Sequence, residues 1–199
     1  MAKVEMSPRE SDLKLVQSAK AGNQTAFGTL VKKYQQKVFY LAFDLVHDYD
    51  DARDIAQEAF IKSFEKLQQF EERAQFSTWL YRIAVNLAMD QHRRRKRRPH
   101  ESLEDNIREI ERQKKVEQTE EGQRSEMELQ TSAQRRQIDK ALTALSKNQR
   151  AATVLKYFHQ KSSKEIAEIL GCSESTARIH LFRAMKNLRK QLKGVQEAL

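Results

Sequence analysis

Apolar residues in the first part of this chain recur every three or four positions, the spacing that places them along one face of an α-helix. Ser11 or Asp12 is expected to cap a short first helix that ends at Gly22, and Asn23 to cap a longer second helix. The apolar stripe of the second helix comprises Phe27, Leu30, Val31, Tyr34, Val38, Leu41, Ala42 and Leu45. The polar run at 47–50 then predicts a turn.

Two further helices are predicted after this turn. The third runs from about Asp51 to Leu67, and its buried stripe comprises Ala52, Ile55, Ala56, Ala59, Phe60 and Phe64. The fourth begins after a loop at 69–75, and its buried stripe comprises Leu80, Ile83, Ala84 and Leu87. Four apolar stripes with short connections favour a compact helical bundle.

The last third of the chain has a different helical pattern. Its first two helices are marked by Ile138, Leu142 and Leu145 and then by Val154, Leu155 and Phe158. Ser162 and Glu165 have capping-box spacing and open a short helix, and the turn at 171–173 leads to another helix with Ser173 as its N-cap. The inner stripe of that last helix comprises Ala177, Leu181, Ala184 and Leu188. This order predicts a helix-turn-helix at about 162–183.

Charge divides the chain into three parts. Residues 1–98 carry a net charge of +5, residues 99–134 a net charge of −5 and residues 135–199 a net charge of +9. The middle part has few large apolar residues and no aromatic ones, so it cannot bury enough surface to offset its ordering entropy. We therefore predict an all-α protein in which two small helical domains, 1–98 and 135–199, are joined by a flexible acidic linker at 99–134.

The composition narrows the functional classes. A formal net charge of +9 over 199 residues predicts attraction to nucleic acid or to an anionic membrane surface. No apolar run approaches the roughly 20 residues of a transmembrane helix, and the N-terminus is unlike a signal peptide. The single cysteine, Cys172, fits a reducing cytosol, so we expect a cytoplasmic protein. The sequence has no metal-ligand spacing, nucleophile–base set or phosphate loop, so we expect no metal, no cofactor and no enzymatic activity.

One face of the fourth helix is suited to single-stranded nucleic acid. Trp79, Arg82, Asn86 and Arg93 share this face, and residues 93–98 are six basic residues in succession. Aromatic rings stack on bases, amides read base edges, and Arg or Lys binds phosphate. The alternative is that Trp79 anchors the core and that the basic run is a solvated helix end.

The second helix of the helix-turn-helix is expected to enter the major groove of duplex DNA. Its outward residues are Glu174, Ser175, Thr176, Arg178, Ile179, Phe182 and Arg183, with Lys186 placed to reach phosphate. The third helix offers an acidic stripe instead, formed by Asp51, Asp54, Glu58 and Glu65. Such a stripe suits a basic protein partner, although composition alone favours a merely solvated face.

Three segments, in this order, resemble the extracytoplasmic-function sigma factors, and in particular their sigma-E-like group. These factors are the minimal members of the sigma-70 family of bacterial RNA polymerase subunits. The segment at 51–70 resembles the family's core-polymerase-binding segment, 76–98 its promoter-melting and −10-reading helix, and 145–192 its −35-reading domain. Together with residues 15–42, the resemblance covers nearly everything except the connector.

The resemblance implies a role for each site. Asp51, Asp54, Gln57 and Glu58 match the surface that docks on the clamp helices of the polymerase largest subunit. The loop from Phe70 to Phe76, together with Asn86, matches the pocket for a base flipped from the −10 element. Residues assigned to melting that element and holding its backbone are Trp79, Arg82, Arg93, Arg94, Arg95 and Lys96. Arg178 and Arg183 match positions that contact the −35 element.

The resemblance also implies partners: core RNA polymerase, promoter DNA and an anti-sigma protein held at the cytoplasmic membrane, in an envelope or stress response. The recognition helix departs from the family pattern. Ile179 stands where a small hydroxyl residue is usual, His180 where Arg is usual, and Ala177 where a larger aliphatic is usual. The base sequence of the −35 element that this chain reads therefore cannot be taken over from the family.

Two other hypotheses compete with a sigma factor. The first is a helix-turn-helix regulator that acts without being a polymerase subunit, which leaves Trp79, Asn86 and the basic run without a role. The second is a structural or membrane-surface basic protein, which predicts no binding to core polymerase.

Overall fold

Helices form every element of regular secondary structure in residues 8–97, 137–138 and 140–196, which are the residues that the computed structural model describes. The first domain consists of α1 (Pro8–Lys20), α2 (Gln24–Val46), α3 (Tyr49–Glu65) and α4 (Phe76–Arg97), with a 3₁₀ turn at Leu67–Gln69. The predicted all-α class is thereby confirmed. The predicted linker at 99–134 lies outside the described residues.

The second domain contains a helical turn at 140–143, α5 (Lys147–Tyr157), α6 (Ser163–Leu170) and α7 (Glu174–Gln196). Ser162 and Glu165 form the predicted capping box, so two backbone N–H groups at the start of α6 have partners. Gly171 ends α6 with φ 66°, a left-handed conformation that glycine adopts without a Cβ penalty. The predicted helix-turn-helix is present.

The core of the first domain follows the predicted stripes closely in α2. Asn23 caps this helix by accepting from two backbone N–H groups, and its buried residues are Ala26, Phe27, Leu30, Tyr34, Val38, Leu41, Ala42 and Leu45. The prediction for α3 was wrong at Phe64, which is 49% exposed and covers the edge of Phe27 instead of lying inside. Ile138 and Phe158, two markers of the C-terminal helices, are also exposed.

Helix α4 is buried on more than one side. Leu80 and Ala84 are buried as predicted, but Tyr81, Val85 and Ala88 are buried as well. The second buried strip includes Tyr81, which lies beside Lys161 and His159 of the second domain; α6 packs against α4, and one continuous core includes residues from both domains. A single-domain helical pattern predicts only one of the two strips.

Polar contacts join the two domains around this core. Arg150 is 5% exposed and donates to the carbonyl oxygen of Leu45 at 2.9 Å, and burial lowers the pKa of its guanidinium. His159 Nε2 lies 2.9 Å from Oδ2 of Asp44. The ammonium group of Lys161 lies 5.2 Å from the centre of the Tyr81 ring, a cation–π arrangement. None of the helices that the structure describes is long and apolar enough to cross a membrane.

A buried carboxylate ties α1 to α2. Asp12 is 6% exposed and accepts hydrogen bonds from the Tyr34 hydroxyl and the Lys33 ammonium. Burial, together with this hydrogen bond, raises the pKa of Tyr34, so the phenol stays protonated and remains a donor. The contact places α1 against the rest of the bundle.

Tyr34→Phe is expected to lower the free energy of unfolding by about 1–3 kcal/mol, because the Asp12 carboxylate would stay buried with one donor fewer. Urea unfolding followed by circular dichroism measures the change. Tyr40→Phe is the matched control, since Tyr40 is 50% exposed. Equal stability of the two variants would contradict a structural role for the Asp12 contact.

Candidate polymerase and promoter interfaces

The acidic stripe on α3 forms an exposed surface next to the start of the helix. Asp48 caps α3 by accepting from the backbone N–H of Asp51 at 2.8 Å. Asp54, Gln57 and Glu58 are exposed on the side of α3 that faces away from the core. Glu58 pairs with Lys62 at 2.8 Å, one helical turn along, and both side chains remain largely in solvent.

Asp51 differs from the other three predicted docking residues. Its side chain is half-buried and accepts from Gln91 Nε2 of α4 at 3.2 Å. The structure therefore groups Asp54, Gln57 and Glu58 as an accessible surface, with Asp51 at its edge and hydrogen-bonded to α4, the helix predicted to read the −10 element. This link between the two predicted sites was not foreseen from the sequence.

Three aromatic rings meet where the loop at 70–75 enters α4. The rings of Phe70 and Trp79 are 5.0 Å apart and those of Phe76 and Trp79 are 5.9 Å apart. Phe70 and Phe76 are only 4% and 3% exposed. Both were predicted to bind −10 DNA, but the structure places them in the core, because their rings fill the space between α1, α2 and α4. They support the loop and present no face to a base.

Trp79 is partly exposed and lies over these two rings. Of the two readings of Trp79, the structure favours an anchor whose outer edge reaches the surface. The Phe70 ring packs 5.0 Å from the Trp79 ring, so it covers part of the indole that would otherwise be free to stack on a base. Trp79 thus connects the loop residue Phe70 to α4 by ring packing.

The exposed part of the predicted −10 surface is polar. Arg82 and Asn86 are exposed on α4, on the same side as Trp79. The backbone of α4 continues as a helix through Arg97, so Arg93, Arg94, Arg95 and Lys96 lie on its last turns, and their side chains lie outside the described residues. The Arg82 guanidinium reaches the turn between α6 and α7, where its Nη2 is 3.1 Å from the position of a Cβ added to Gly171.

The predicted −35 residues lie on the outward face of α7. The Ser173 hydroxyl accepts from the backbone N–H of Thr176 at 3.1 Å and so fixes the start of this helix. The exposed members of the set are Ser175, Arg178, Ile179, Phe182, Arg183 and Lys186, while Thr176 is half-buried. Phe182 is 72% exposed and Ile179 is 47% exposed, so two apolar groups stand among the basic ones.

Arg178 is paired within its own helix. Its Nη2 lies 2.5 Å from Oε1 of Glu174, with both side chains exposed to solvent. The pair holds the guanidinium over the first turn of α7, where a recognition helix contacts base edges. Binding to a base would replace this solvated ion pair with a base contact. The free-energy cost of breaking the pair is low, because exposed ion pairs contribute little to stability.

Several residues that shape these surfaces carried no signal in the sequence. Lys20 and Glu72 connect α1 to the loop at 70–75, and Lys161 and Arg150 connect the domains. Lys20 and Arg150 each donate to a backbone carbonyl oxygen, that of Phe70 and that of Leu45, and every residue type provides such an acceptor. A sequence pattern therefore could not have identified them.

Comparison with known proteins identifies the family of this chain. Residues 30–98 match the family Sigma-70 region 2, and residues 135–188 match Sigma-70, region 4. The RNA polymerase sigma-H factor of Pseudomonas aeruginosa is 34% identical over 94% of this chain and 96% of its own length. The ECF RNA polymerase sigma-E factor of Escherichia coli K12 is 36% identical over 90% of this chain and 93% of its own length.

A solved structure supports the fold. The sigma factor RpoE of Bartonella quintana, in complex with the anti-sigma factor NepR, covers 84% of this chain and 96% of its own chain with a TM-score of 0.57 and 23% identity. Both sigma-70 regions occur in the order that the sequence predicted, and the curated relatives span nearly the whole chain. The chain therefore belongs to the extracytoplasmic-function sigma factors, the RNA polymerase initiation subunits of the sigma-70 family.

Proposed function

We propose that this sigma factor docks on core RNA polymerase through Asp54, Gln57 and Glu58 of α3, with Asp51 at the edge of the contact. The observation that carries the proposal is the separation of charge between elements: exposed carboxylates on α3, and exposed basic side chains at Arg82 of α4 and along the outward face of α7. Acidic residues would repel promoter DNA, so this patch suits a protein partner rich in Arg or Lys.

The −10 element is read, in this proposal, by the loop at 70–75 and the outward side of α4. Asn86 has the amide that reads a base edge, Arg82 and the basic run at 93–96 hold phosphates, and Trp79 stabilises the helix beneath them. Extracting a base from the duplex costs a few kcal/mol of unstacking, which these contacts offset. Phe70 and Phe76 act from the core by shaping the loop.

The −35 element is read by α7 in the major groove. Arg178 and Arg183 supply guanidinium groups for base or phosphate contacts, Ser175 and Thr176 supply hydroxyls, and Lys186 reaches phosphate. Ile179 and Phe182 supply exposed apolar groups that suit a thymine methyl. The functional domains in this proposal are residues 1–98 and 135–199, with 99–134 as their connection.

An anti-sigma protein is the proposed regulator. The Bartonella quintana RpoE structure contains such a partner, and the basic faces of both domains here need masking when polymerase is absent. We place the chain in the cytoplasm, with no catalytic step of its own, under a membrane-held anti-sigma protein in an envelope or stress response.

Run-off transcription with purified core polymerase tests the proposal. The chain is expected to direct initiation from promoters with defined −10 and −35 elements. Binding to duplex DNA without any initiation would instead support the helix-turn-helix regulator that acts outside the polymerase, an alternative that family membership disfavours.

Arg178→Ala is expected to weaken discrimination at one −35 base pair by about 1–3 kcal/mol, because the exposed guanidinium at the start of α7 is placed to contact a base edge. Transcription from templates with single −35 substitutions measures this loss. Arg189→Ala is the comparison variant, since Arg189 is exposed near the other end of the same helix. An equal loss on every template would show that Arg178 contacts phosphate.

A further inference from the structure

The loop at 70–75 is held from one side by the end of α1. Lys20, the last residue of α1, donates through Nζ to the carbonyl oxygen of Phe70 at 2.5 Å, and the same Nζ lies 3.4 Å from Oε1 of Glu72. It also lies 5.7 Å from the centre of the Phe70 ring. One ammonium group thus contacts the backbone, the aromatic ring and the acidic side chain of the loop.

Glu72 adopts a conformation that the loop alone would rarely populate. Its φ is 61°, in the left-handed region that side chains other than glycine disfavour. Its carboxylate accepts from Gln17 Nε2 at 3.3 Å as well as pairing with Lys20. Gln68, just before the loop, donates to the carbonyl oxygen of Lys20 at 2.9 Å. The last turn of α1 therefore contacts the chain just before the loop and within the first three residues of the loop.

The space between α1 and the loop does not admit a nucleobase. The cleft there has a volume of about 40 Å³ and is lined by Leu13, Val16 and Phe76 among others. That volume holds a few water molecules, since one water needs about 10–15 Å³ of such space. An influence of α1 on base selection consequently passes through the conformation of the loop.

We propose that Lys20 is a positioning residue that sets the −10 base selectivity of this sigma factor. The inference rests on the proposed reading of the −10 element by the loop at 70–75 and Asn86. The link to the reading surface is the Phe70 ring, which packs 5.0 Å from Trp79 at the start of that surface. Helix α1 precedes residues 30–98, the part that matches Sigma-70 region 2, so the clamp acts on that region from outside it.

Lys20→Met tests the inference because it keeps the length of the side chain and removes the charge. Transcription is measured with core polymerase and the full-length chain on promoters that differ at single −10 positions. The ratio between the preferred base and the next best is expected to fall by about threefold to tenfold. Lys20→Arg is expected to restore most of it, and Lys32→Met, which removes an exposed charge from α2, is expected to leave it unchanged.

A second measurement reports the loop directly. Trp79 is the only tryptophan in the chain, so its fluorescence and its quenching by acrylamide follow the packing of Phe70 without DNA or polymerase. Lys20→Met is expected to increase quenching. Glu72→Gln retains Lys20 and weakens the ion pair. It is expected to shift the −10 base ratio and the Trp79 quenching in the same direction as Lys20→Met, by a smaller amount. It replaces Lys20→Met if that variant does not fold.

The outcomes separate the two proposals. An unchanged −10 ratio in Lys20→Met, an equal loss on every −10 template, or a changed ratio without a change in Trp79 quenching would overturn the positioning role. A wild-type chain that shows no −10 preference at all would instead overturn the proposed function.

Discussion

A variant that combines Asp54→Arg with Glu58→Arg is expected to bind core RNA polymerase at least about 100-fold more weakly than the wild-type chain. Both carboxylates are exposed on α3, with side chains 72% and 51% accessible, so neither is needed for the core. Reversing their charge places positive groups against the basic partner proposed for this surface. Like charges across an interface cost several kcal/mol, enough for a loss of this size.

The same variant is expected to fold as well as the wild type. Its structural cost is limited to two exposed ion pairs, Glu58 with Lys62 at 2.8 Å and Asp54 with the adjacent Arg53 at 3.9 Å, and such surface pairs contribute about 0.2–1 kcal/mol each. Glu168→Arg on α6 is the matched control, because it reverses an exposed charge elsewhere in the chain. Polymerase binding is measured by competition with a labelled wild-type chain. A control that lost as much affinity would show a general charge effect, and the α3 surface would lose its assignment.

Local sequence patterns were sufficient to predict structural elements that depend only on neighbouring residues. The capping box at Ser162 and Glu165 and the left-handed turn at Gly171 depend on residues within a few positions, and both are present. The stripe on α2 was predicted almost completely, because this helix lies at the centre of its own domain. The helix-turn-helix follows from these signals.

Features that arise from contacts between distant segments were not predictable. Tyr81 lies beside His159 and Lys161 of the second domain, and Arg150 reaches a carbonyl group 105 residues earlier in the chain. Phe70 was assigned to DNA from the family resemblance, although only the structure shows that its ring lies inside. A helical pattern reports which side of a helix is apolar, and it does not report how many partners that helix has.

The contact between the domains has a geometric consequence for promoter binding. Two elements near −10 and −35 are separated by about 25 base pairs, or about 85 Å of duplex at 3.4 Å per base pair. In the structure, Arg82 on the proposed −10 surface touches the turn at Gly171, which lies directly before the recognition helix. With the proposed −10 and −35 surfaces, this arrangement does not let both occupy their elements at once, so we expect the domains to separate before the chain engages a promoter.

Locking the two domains together is therefore expected to abolish initiation. Arg82→Cys provides a thiol on α4 near the turn at Gly171, and Cys172, the single cysteine of the sequence, is the next residue of that turn. The two thiols are joined by a short bis-maleimide that contains a cleavable disulfide. Initiation by the cross-linked chain from a promoter with both elements is expected to fall at least about 100-fold. The reason is that the gain from binding two sites is lost when geometry forbids simultaneous contact. Run-off transcription measures this loss against the unreacted Arg82→Cys chain, which sets the baseline for the altered −10 surface.

Cleavage of the cross-link should restore that baseline, because it frees the domains while leaving both cysteines capped. A cross-linked chain that initiated at the baseline rate would mean that promoter binding does not require separation of the domains.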